Sequence, residues 1–120
     1  RLPLRNFGDG MSRILQIMLA LANLKDGVLL IDEFENGLHW STQEKLWEAI
    51  FSLSKTLNIQ VFATTHSKDC IKAFEDAWRK QESEGAFHRL ERHPRTEKIV
   101  ASTYALETLS ASIDTDSAVR

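Results

Sequence analysis

Hydrophobic and polar positions alternate along the chain in blocks that predict an α/β order of elements. Apolar residues at helical spacing predict a first helix over residues 11–24, whose wide apolar circumference favours burial inside a fold. Val28–Ile31 and residues 59–63 are short unbroken apolar runs, typical of central parallel strands covered on both faces. A helix between these strands makes the connection a right-handed parallel crossover in a layered sheet.

Polar residues between the apolar blocks predict where the later elements begin. Ser41 and Glu44 form a capping box ahead of the second helix, and Ser67 caps a third. Two alternating segments, residues 87–91 and 98–102, predict an antiparallel hairpin with one solvated face. A terminal helix is expected over residues 104–113.

Composition and charge narrow the class of protein. The 120 residues, 42% hydrophobic and 27% charged, fit one globular domain, and the net charge of -2 gives no global support for coating a polyanion. The single cysteine, Cys70, excludes an intrachain disulfide and fits a reducing cytoplasm. The sequence shows no signal peptide and no apolar stretch long enough to cross a membrane. Because patterned sequence starts directly at Arg1, we expect a fragment or a processed product.

Two acids, Asp32 and Glu33, directly follow the first apolar strand. Open α/β sheets bind ligands at the carboxyl ends of their strands. Since adjacent residues of an extended strand point to opposite sides, the two carboxylates have different roles. Asp32 suits a Mg²⁺ ion, directly or through water, and Glu33 suits an attacking water molecule. The alternative is two solvated acids at a junction between strand and loop.

The second strand also ends in hydrogen-bonding residues, Thr64, Thr65 and His66. Parallel strands of one sheet bring such residues to the same edge as the two acids. There the imidazole of His66 can bond to a terminal phosphate oxygen and help to orient the water. The alternative is that Thr65 and Ser67 only cap the next helix and that His66 is a turn residue.

A loop with two glycines, Gly8 and Gly10, precedes the first helix. Glycines let the backbone approach an anion closely, and the free amides of a helix start attract phosphate. Asp9 between them lowers the attraction for an anion, so a capped helix start is the alternative.

Three segments in this order resemble the C-terminal lobe of ABC-type ATPases. They are residues 7–13 (FGDGMSR), 28–39 (VLLIDEFENGLH) and 62–67 (FATTHS). The chain looks most like the predicted ATPases related to the overcoming-lysogenization-defect (OLD) family, and more distantly like SMC-type DNA-repair ATPases. The resemblance covers nearly the whole chain. It implies a P-loop NTPase-like layered fold with parallel strands flanked by helices, closed by a β-hairpin and a helix.

The resemblance also implies roles for the matching residues. Asp32 and Glu33 match the Walker B acids, Asp32 on the magnesium side and Glu33 as general base, and His66 matches the switch histidine. Gly8, Gly10 and Ser12 lie where the family keeps its signature loop, which contacts the γ-phosphate of nucleotide held by the opposite subunit; the family usually presents a serine and two glycines there. Residues 36–39 match a dimer-facing loop. The implied cofactors are Mg²⁺ and ATP, and the implied partner is a second copy or a related subunit.

The phosphate-anchoring motif of such ATPases, G-x-x-x-x-G-K-[ST], does not occur in these residues. In the family it precedes the signature loop, and its lysine and hydroxyl hold the β- and γ-phosphates. We therefore expect residues 1–120 to form the C-terminal lobe of an ATPase domain. This partial fold needs an N-terminal P-loop lobe and is inactive alone.

Two other functions fit the same sequence. A half-fold without its P-loop can be a non-catalytic module that dimerises or docks on a partner through a sheet edge and apolar helix faces. A metal-dependent nuclease, the weaker alternative, would use Asp32, Glu33 and Glu35 as ligands. A metal cluster of Asp32, Glu35 and His39 matches no zinc spacing. The basic hairpin can touch nucleic acid, but its glutamates favour a solvated charged face. The remaining expected core residues are Trp40, Trp47, Trp78 and Cys70.

Overall fold

Four helices and four strands make up the part of the chain that the computed structural model describes, residues 8–81 and 85–115. The order follows the α/β prediction, including the final hairpin and helix. The elements are α1 (Gly8–Ala22), β1 (Val28–Ile31), α2 (Trp40–Leu57), β2 (Gln60–Ala63), α3 (Lys68–Gln81), β3 (Phe87–Arg92), β4 (Ile99–Tyr104) and α4 (Leu106–Thr115). Within these residues, no helix combines the length and apolar character that crossing a bilayer requires.

The strands β1 and β2 pair in parallel, with Leu30 opposite Phe62, and α2 connects them. Ile31 on one face of this pair is buried in the core. On the other face the exposed fractions are 53% for Val28, 74% for Leu30 and 52% for Phe62. The prediction that these strands are covered on both faces is therefore wrong for the described residues, because their core lies on one face of the strand pair only.

Helix α1 is buried along one face rather than around its circumference. Ile17 and Leu21 lie in the core, whereas Met11, Leu15 and Leu19 are exposed. The exposed residues recur every four positions and form one apolar stripe on the outside of the helix. The prediction of an all-round buried helix over residues 11–24 is thus wrong in its burial and in its bounds.

Helix α2 begins with a different cap from the one its sequence predicts. His39 is the N-cap residue, and its ring Nδ1 accepts a hydrogen bond from the Ser41 backbone N–H at 3.2 Å. The Ser41–Glu44 capping box is therefore wrong, because the imidazole two residues earlier already supplies the acceptor. The Glu44 carboxylate instead pairs with Lys80 of α3.

The predicted cap of α3 is confirmed. The Ser67 hydroxyl accepts a hydrogen bond from the Cys70 backbone N–H at 3.2 Å. The Cys70 side chain is completely buried, and this burial raises the pKa of its thiol. A buried neutral thiol agrees with the packing role expected for Cys70.

Aromatic rings hold α2 and α3 together and fix the segment after β1. Phe34 is fully buried and stacks on Trp47 of α2, with ring centroids 3.9 Å apart. Trp47 in turn meets Phe74 of α3 edge-on at 5.0 Å, and Trp78 is also in the core. Trp47 and Trp78 are core residues as predicted. Trp40 is not, because it stands at the start of α2 with 66% of its surface exposed.

The hairpin of β3 and β4 is antiparallel, as predicted, with Phe87 opposite Tyr104. The two rings meet edge-on at 5.4 Å. Farther along, Arg89 pairs with Glu91 at 3.7 Å, and residues 90–101 are all exposed. Because the exposed residues include apolar Leu90, Ile99 and Val100 as well as the charged ones, both faces of this part of the hairpin lie in solvent within the described residues, and the prediction of one solvated face is wrong there. Contact with nucleic acid stays a prediction.

A buried carboxylate, Glu75, ties α4 to α3. It accepts hydrogen bonds from the Arg79 guanidinium at 2.5 Å and from the Ser110 hydroxyl of α4, and it pairs with Lys72 at 3.3 Å. Burial alone would raise the pKa of Glu75, but the bonds from Ser110 and Arg79 outweigh it and lower the pKa to about 2. The ionised carboxylate is therefore part of the folded structure.

Glu75 should make the attachment of α4 depend on pH. Because its pKa in the folded chain lies below the ordinary 4.5, its contribution to stability is complete above about pH 4.5 and is lost as the pH falls towards 2. We expect Glu75→Gln to lower the free energy of unfolding by about 2 kcal/mol at pH 7 and to flatten this dependence. Urea unfolding at pH 7 and pH 3 measures both effects, with Glu107→Gln on exposed α4 surface as control. An unchanged pH dependence in Glu75→Gln would contradict this role.

Candidate active site

The polar ends of β1 and β2 meet at one edge of the strand pair, where Thr64 links them. The Thr64 hydroxyl donates to Asp32 Oδ1 at 2.5 Å and accepts from the Glu33 backbone N–H at 2.9 Å. Its carbonyl accepts from the Phe34 backbone N–H at 2.9 Å. Thr64, which directly follows β2, therefore holds both the backbone and one carboxylate of the segment after β1.

Glu33 adopts a backbone conformation that is uncommon for a residue with a side chain. Its φ is 50°, in the left-handed region, which raises the energy of a non-glycine residue by about 1–2 kcal/mol. The Glu33 backbone N–H bonds to the Thr64 hydroxyl, and the ring of the next residue, Phe34, is buried. These two contacts hold the turn in place. Both Asp32 and Glu33 have exposed side chains, so their carboxylates are open to a ligand.

Arg13 of α1 reaches the same turn. Its Nη2 donates to the Asp32 carbonyl at 2.8 Å and to the Glu33 carbonyl at 3.1 Å. Its Nε is buried and has no hydrogen-bond partner within the described residues. The acidic turn is thus held from α1 as well as from the extension of β2.

The next acid, Glu35, is engaged in a contact of its own. The Thr65 hydroxyl donates to the two Glu35 carboxylate oxygens at 2.6 and 3.1 Å, and it accepts from the Ser67 backbone N–H at 3.0 Å. Thr65 therefore does serve the turn before α3, as one interpretation of the sequence expects. In the described part of the chain, no three His, Cys, Asp or Glu residues are grouped to hold a metal ion. The structure gives no support to a nuclease built on Asp32, Glu33 and Glu35.

His66 follows the two bonded threonines in the segment between β2 and α3, and its side chain is exposed. Thr64 contacts Asp32 and Thr65 contacts Glu35. The two residues that precede His66 in the chain therefore lie at the same edge as the acids. The contact of His66 with a phosphate oxygen stays a prediction.

The glycine segment is helical rather than a loop. Gly8 and Gly10 belong to the first turn of α1, which corrects the predicted loop before residue 11; Asn6 and Phe7 lie outside the described residues. A Cβ on Gly10 would lie 2.9 Å from the Gly37 carbonyl oxygen, so this helix packs directly on the loop after β1. Ser12 lines a cleft of about 230 Å³ beside Arg13, Gln16, Asn36 and Gly37. Phosphate contact by Gly8, Gly10 and Ser12 stays a prediction.

Comparison with known families agrees with this arrangement. A family profile described as "AAA domain, putative AbiEii toxin, Type IV TA system" matches residues 1–69, more than half of the chain. The chain belongs to this family of AAA domains. The matched residues contain α1, β1, α2 and β2, and with them Arg13, the two acids, Thr64 and His66.

Two curated proteins are similar to this AAA domain chain. One, from Helicobacter pylori, is named ATP/GTP phosphatase and is 35% identical over 85 residues, which are 68% of this chain and 23% of that protein. The other, from Methanocaldococcus jannaschii, is uncharacterized and is 41% identical over 64 residues, 53% of this chain and 56% of that protein. The chain thus spans about a quarter and about half the length of these relatives. No solved structure matches it.

Two residues that build the site of this AAA domain lie within the quoted segments, but neither was assigned a role from the sequence. Arg13 is the only lysine or arginine in α1, and a lone cation in a mostly apolar helix is the signal that points to a specific partner. Phe34 directly follows the acids, and an aromatic residue at that place indicates that the chain turns back into the core.

Proposed function

We propose that this chain is the C-terminal lobe of an ABC-type, OLD-like ATPase, with Asp32 and Glu33 as its Walker B acids. The observation that carries the proposal is that Thr64 of the neighbouring strand end bonds to both residues and leaves their side chains exposed at the carboxyl edge of a parallel pair. This edge is where α/β sheets bind their ligands. The name of the Helicobacter pylori relative supports nucleotide hydrolysis.

The two acids divide the work. Asp32 offers an exposed carboxylate with Oδ1 anchored by Thr64, a donor set that fits Mg²⁺, directly or through water. Bound Mg²⁺ neutralises charge on the phosphate oxygens. Glu33 accepts the proton of the water that attacks the γ-phosphorus, while the bond to the β–γ bridging oxygen breaks to give ADP and phosphate. His66 donates a hydrogen bond to a γ-phosphate oxygen and helps to orient the water.

Nucleotide anchoring comes from a P-loop lobe that these 120 residues do not contain. The sequence has no Walker A motif, and the Helicobacter pylori relative is about four times as long as the matched region. Gly8, Gly10 and Ser12 at the start of α1 face the nucleotide of a second copy or a related subunit. Their amides and hydroxyl are of the type that binds phosphate at a helix start.

Asp32→Asn tests the proposal through its metal dependence. In the ATPase assembled with a P-loop lobe, we expect the Mg²⁺ concentration for half-maximal phosphate release to rise at least about 10-fold. The amide keeps the size of the side chain and can still accept from Thr64, so the change isolates the charge. Asp69→Asn, an exposed acid in the first turn of α3, is the control. An unchanged Mg²⁺ requirement in Asp32→Asn would remove Asp32 from the metal site.

The exposed apolar surfaces favour a second candidate, a non-catalytic interaction module. Leu30 and Phe62 on the strand pair and Leu19 on α1 are large apolar side chains with more than half of their surface in solvent. Such patches mark interaction surfaces. Calorimetric titration of the assembled protein with Mg-ATP separates the two candidates. Binding supports the ATPase, and no binding by a folded complex supports the module.

A further inference from the structure

We propose that Arg13 is a positioning residue that sets the direction of the Glu33 carboxylate by fixing the backbone on both sides of it. The proposal rests on the role of Glu33 given above. It concerns a guanidinium on α1 and a turn about twenty positions later in the chain, which only the fold brings together.

The two hydrogen bonds of Arg13 fall on the two peptide groups that flank Glu33. The Asp32 carbonyl belongs to the peptide group before Glu33, and the Glu33 carbonyl belongs to the one after it. Nη2 donates to these carbonyls at 2.8 and 3.1 Å. Because φ and ψ of a residue describe the relation between its two flanking peptide groups, one guanidinium tethers both dihedral angles of Glu33.

This tether acts on a turn that the backbone would not choose by itself. Glu33 has a φ of 50°, and a residue with a Cβ reaches that region only when its surroundings hold it there. Bonds from a charged donor are stronger than neutral ones, so Arg13 is suited to hold it. A lysine cannot replace it fully, since a flexible ammonium lacks the rigid planar donor geometry of a guanidinium.

Helix α1, which carries Arg13, also packs directly on the loop after β1. Three residues before Arg13, Gly10 packs so closely on the Gly37 carbonyl that a Cβ would come within 2.9 Å of it. Helix α1 therefore contacts the segment after β1 at two positions, Gly10 and Arg13. The Nε of Arg13 is buried and has no hydrogen-bond partner in the described residues, so this end of the guanidinium lies within the contact.

Amide hydrogen exchange on the 120-residue chain tests the positioning role without any nucleotide. In Arg13→Gln we expect the Glu33 and Phe34 amides, which bond to Thr64, to exchange at least about 10-fold faster than in the wild type. The Thr64 amide, which bonds to the Ile31 carbonyl in the strand pair, should keep its rate. Arg92→Gln, an exposed arginine of β3, is the matched control. Unchanged exchange at Glu33 and Phe34, or an equal rise at all amides, would overturn the proposal.

Kinetics of the assembled ATPase then separate this proposal from the assignment of Glu33. We expect Arg13→Gln to lower kcat for ATP hydrolysis about 10- to 100-fold with KM for ATP unchanged, and Arg13→Lys to fall in between. A wild type that hydrolyses ATP, with full kcat in Arg13→Gln, would overturn the positioning role and leave Glu33 in place. Faster exchange at Glu33 in Arg13→Gln, together with a wild-type complex that does not hydrolyse ATP, would support the tether and contradict the proposed function.

Discussion

Glu33→Gln is expected to lower ATP hydrolysis by about 1,000-fold in the assembled ATPase while ATP binding stays within about 2-fold. The amide cannot accept the proton of the attacking water, and a positioned general base contributes about 100- to 10,000-fold to such reactions. Because glutamine has the same length and backbone, the bond that Arg13 donates to this turn and the bond that Thr64 accepts from it both remain. The expected loss is therefore in the rate of the chemical step, which single-turnover phosphate release measures.

Two further variants make this result specific. Glu107→Gln removes an exposed carboxylate from α4 and should leave the rate unchanged. Glu33→Gly should be as inactive as Glu33→Gln, yet raise the free energy of unfolding by about 1 kcal/mol, because glycine adopts the φ of 50° without strain. Activity close to wild type in Glu33→Gln would remove Glu33 from the general-base role.

Phe34→Ala is expected to lower the free energy of unfolding by about 4 kcal/mol, the largest effect on stability that we predict. The ring is fully buried and stacks on Trp47 at 3.9 Å, so its removal leaves a cavity between the acidic turn and α2. It also removes the anchor that draws the chain back into the core after Glu33. Chemical denaturation of the 120-residue chain, followed by Trp fluorescence, measures the change.

The matched control for Phe34→Ala lies on β1, the strand that precedes Phe34. Leu30→Ala also removes a large apolar side chain, but one that is 74% exposed, and should change the free energy of unfolding by less than about 1 kcal/mol. Phe34→Leu should fall between the two. Equal losses in Phe34→Ala and Leu30→Ala would contradict the anchoring role of Phe34.

The order of elements was predictable because each carries a local signal. Each of these signals involves only residues close together in the chain: the apolar run of β1, the polar residues after it and the alternation in the hairpin. The structure has the corresponding elements. Burial was less predictable. The apolar run Val28–Ile31 has the composition of a strand covered on both faces, yet Leu30 is exposed, because covering a face depends on distant elements.

The contacts that shape the site were the least predictable part. The place of the two acids directly after β1 identifies them in the sequence. Arg13 is about twenty residues away in the chain, and no local pattern predicts that it bonds to their backbone. The cap of α2 shows the same limit on a smaller scale. The spacing of Ser41 and Glu44 fits a capping box, but the His39 ring is oriented so that it caps the helix instead.

The central claim is that the end of β1, beside the end of β2, faces the metal and phosphates of bound nucleotide. Replacing Mg²⁺ by paramagnetic Mn²⁺ tests it directly, because the ion broadens the NMR signals of nearby amides. With Mn-ATP bound to the chain assembled with a P-loop lobe, the Asp32, Glu33 and Thr64 amides should broaden beyond detection, while those of the β3–β4 hairpin stay sharp. Sharp signals at Asp32 and Glu33 under saturating Mn-ATP would contradict the claim.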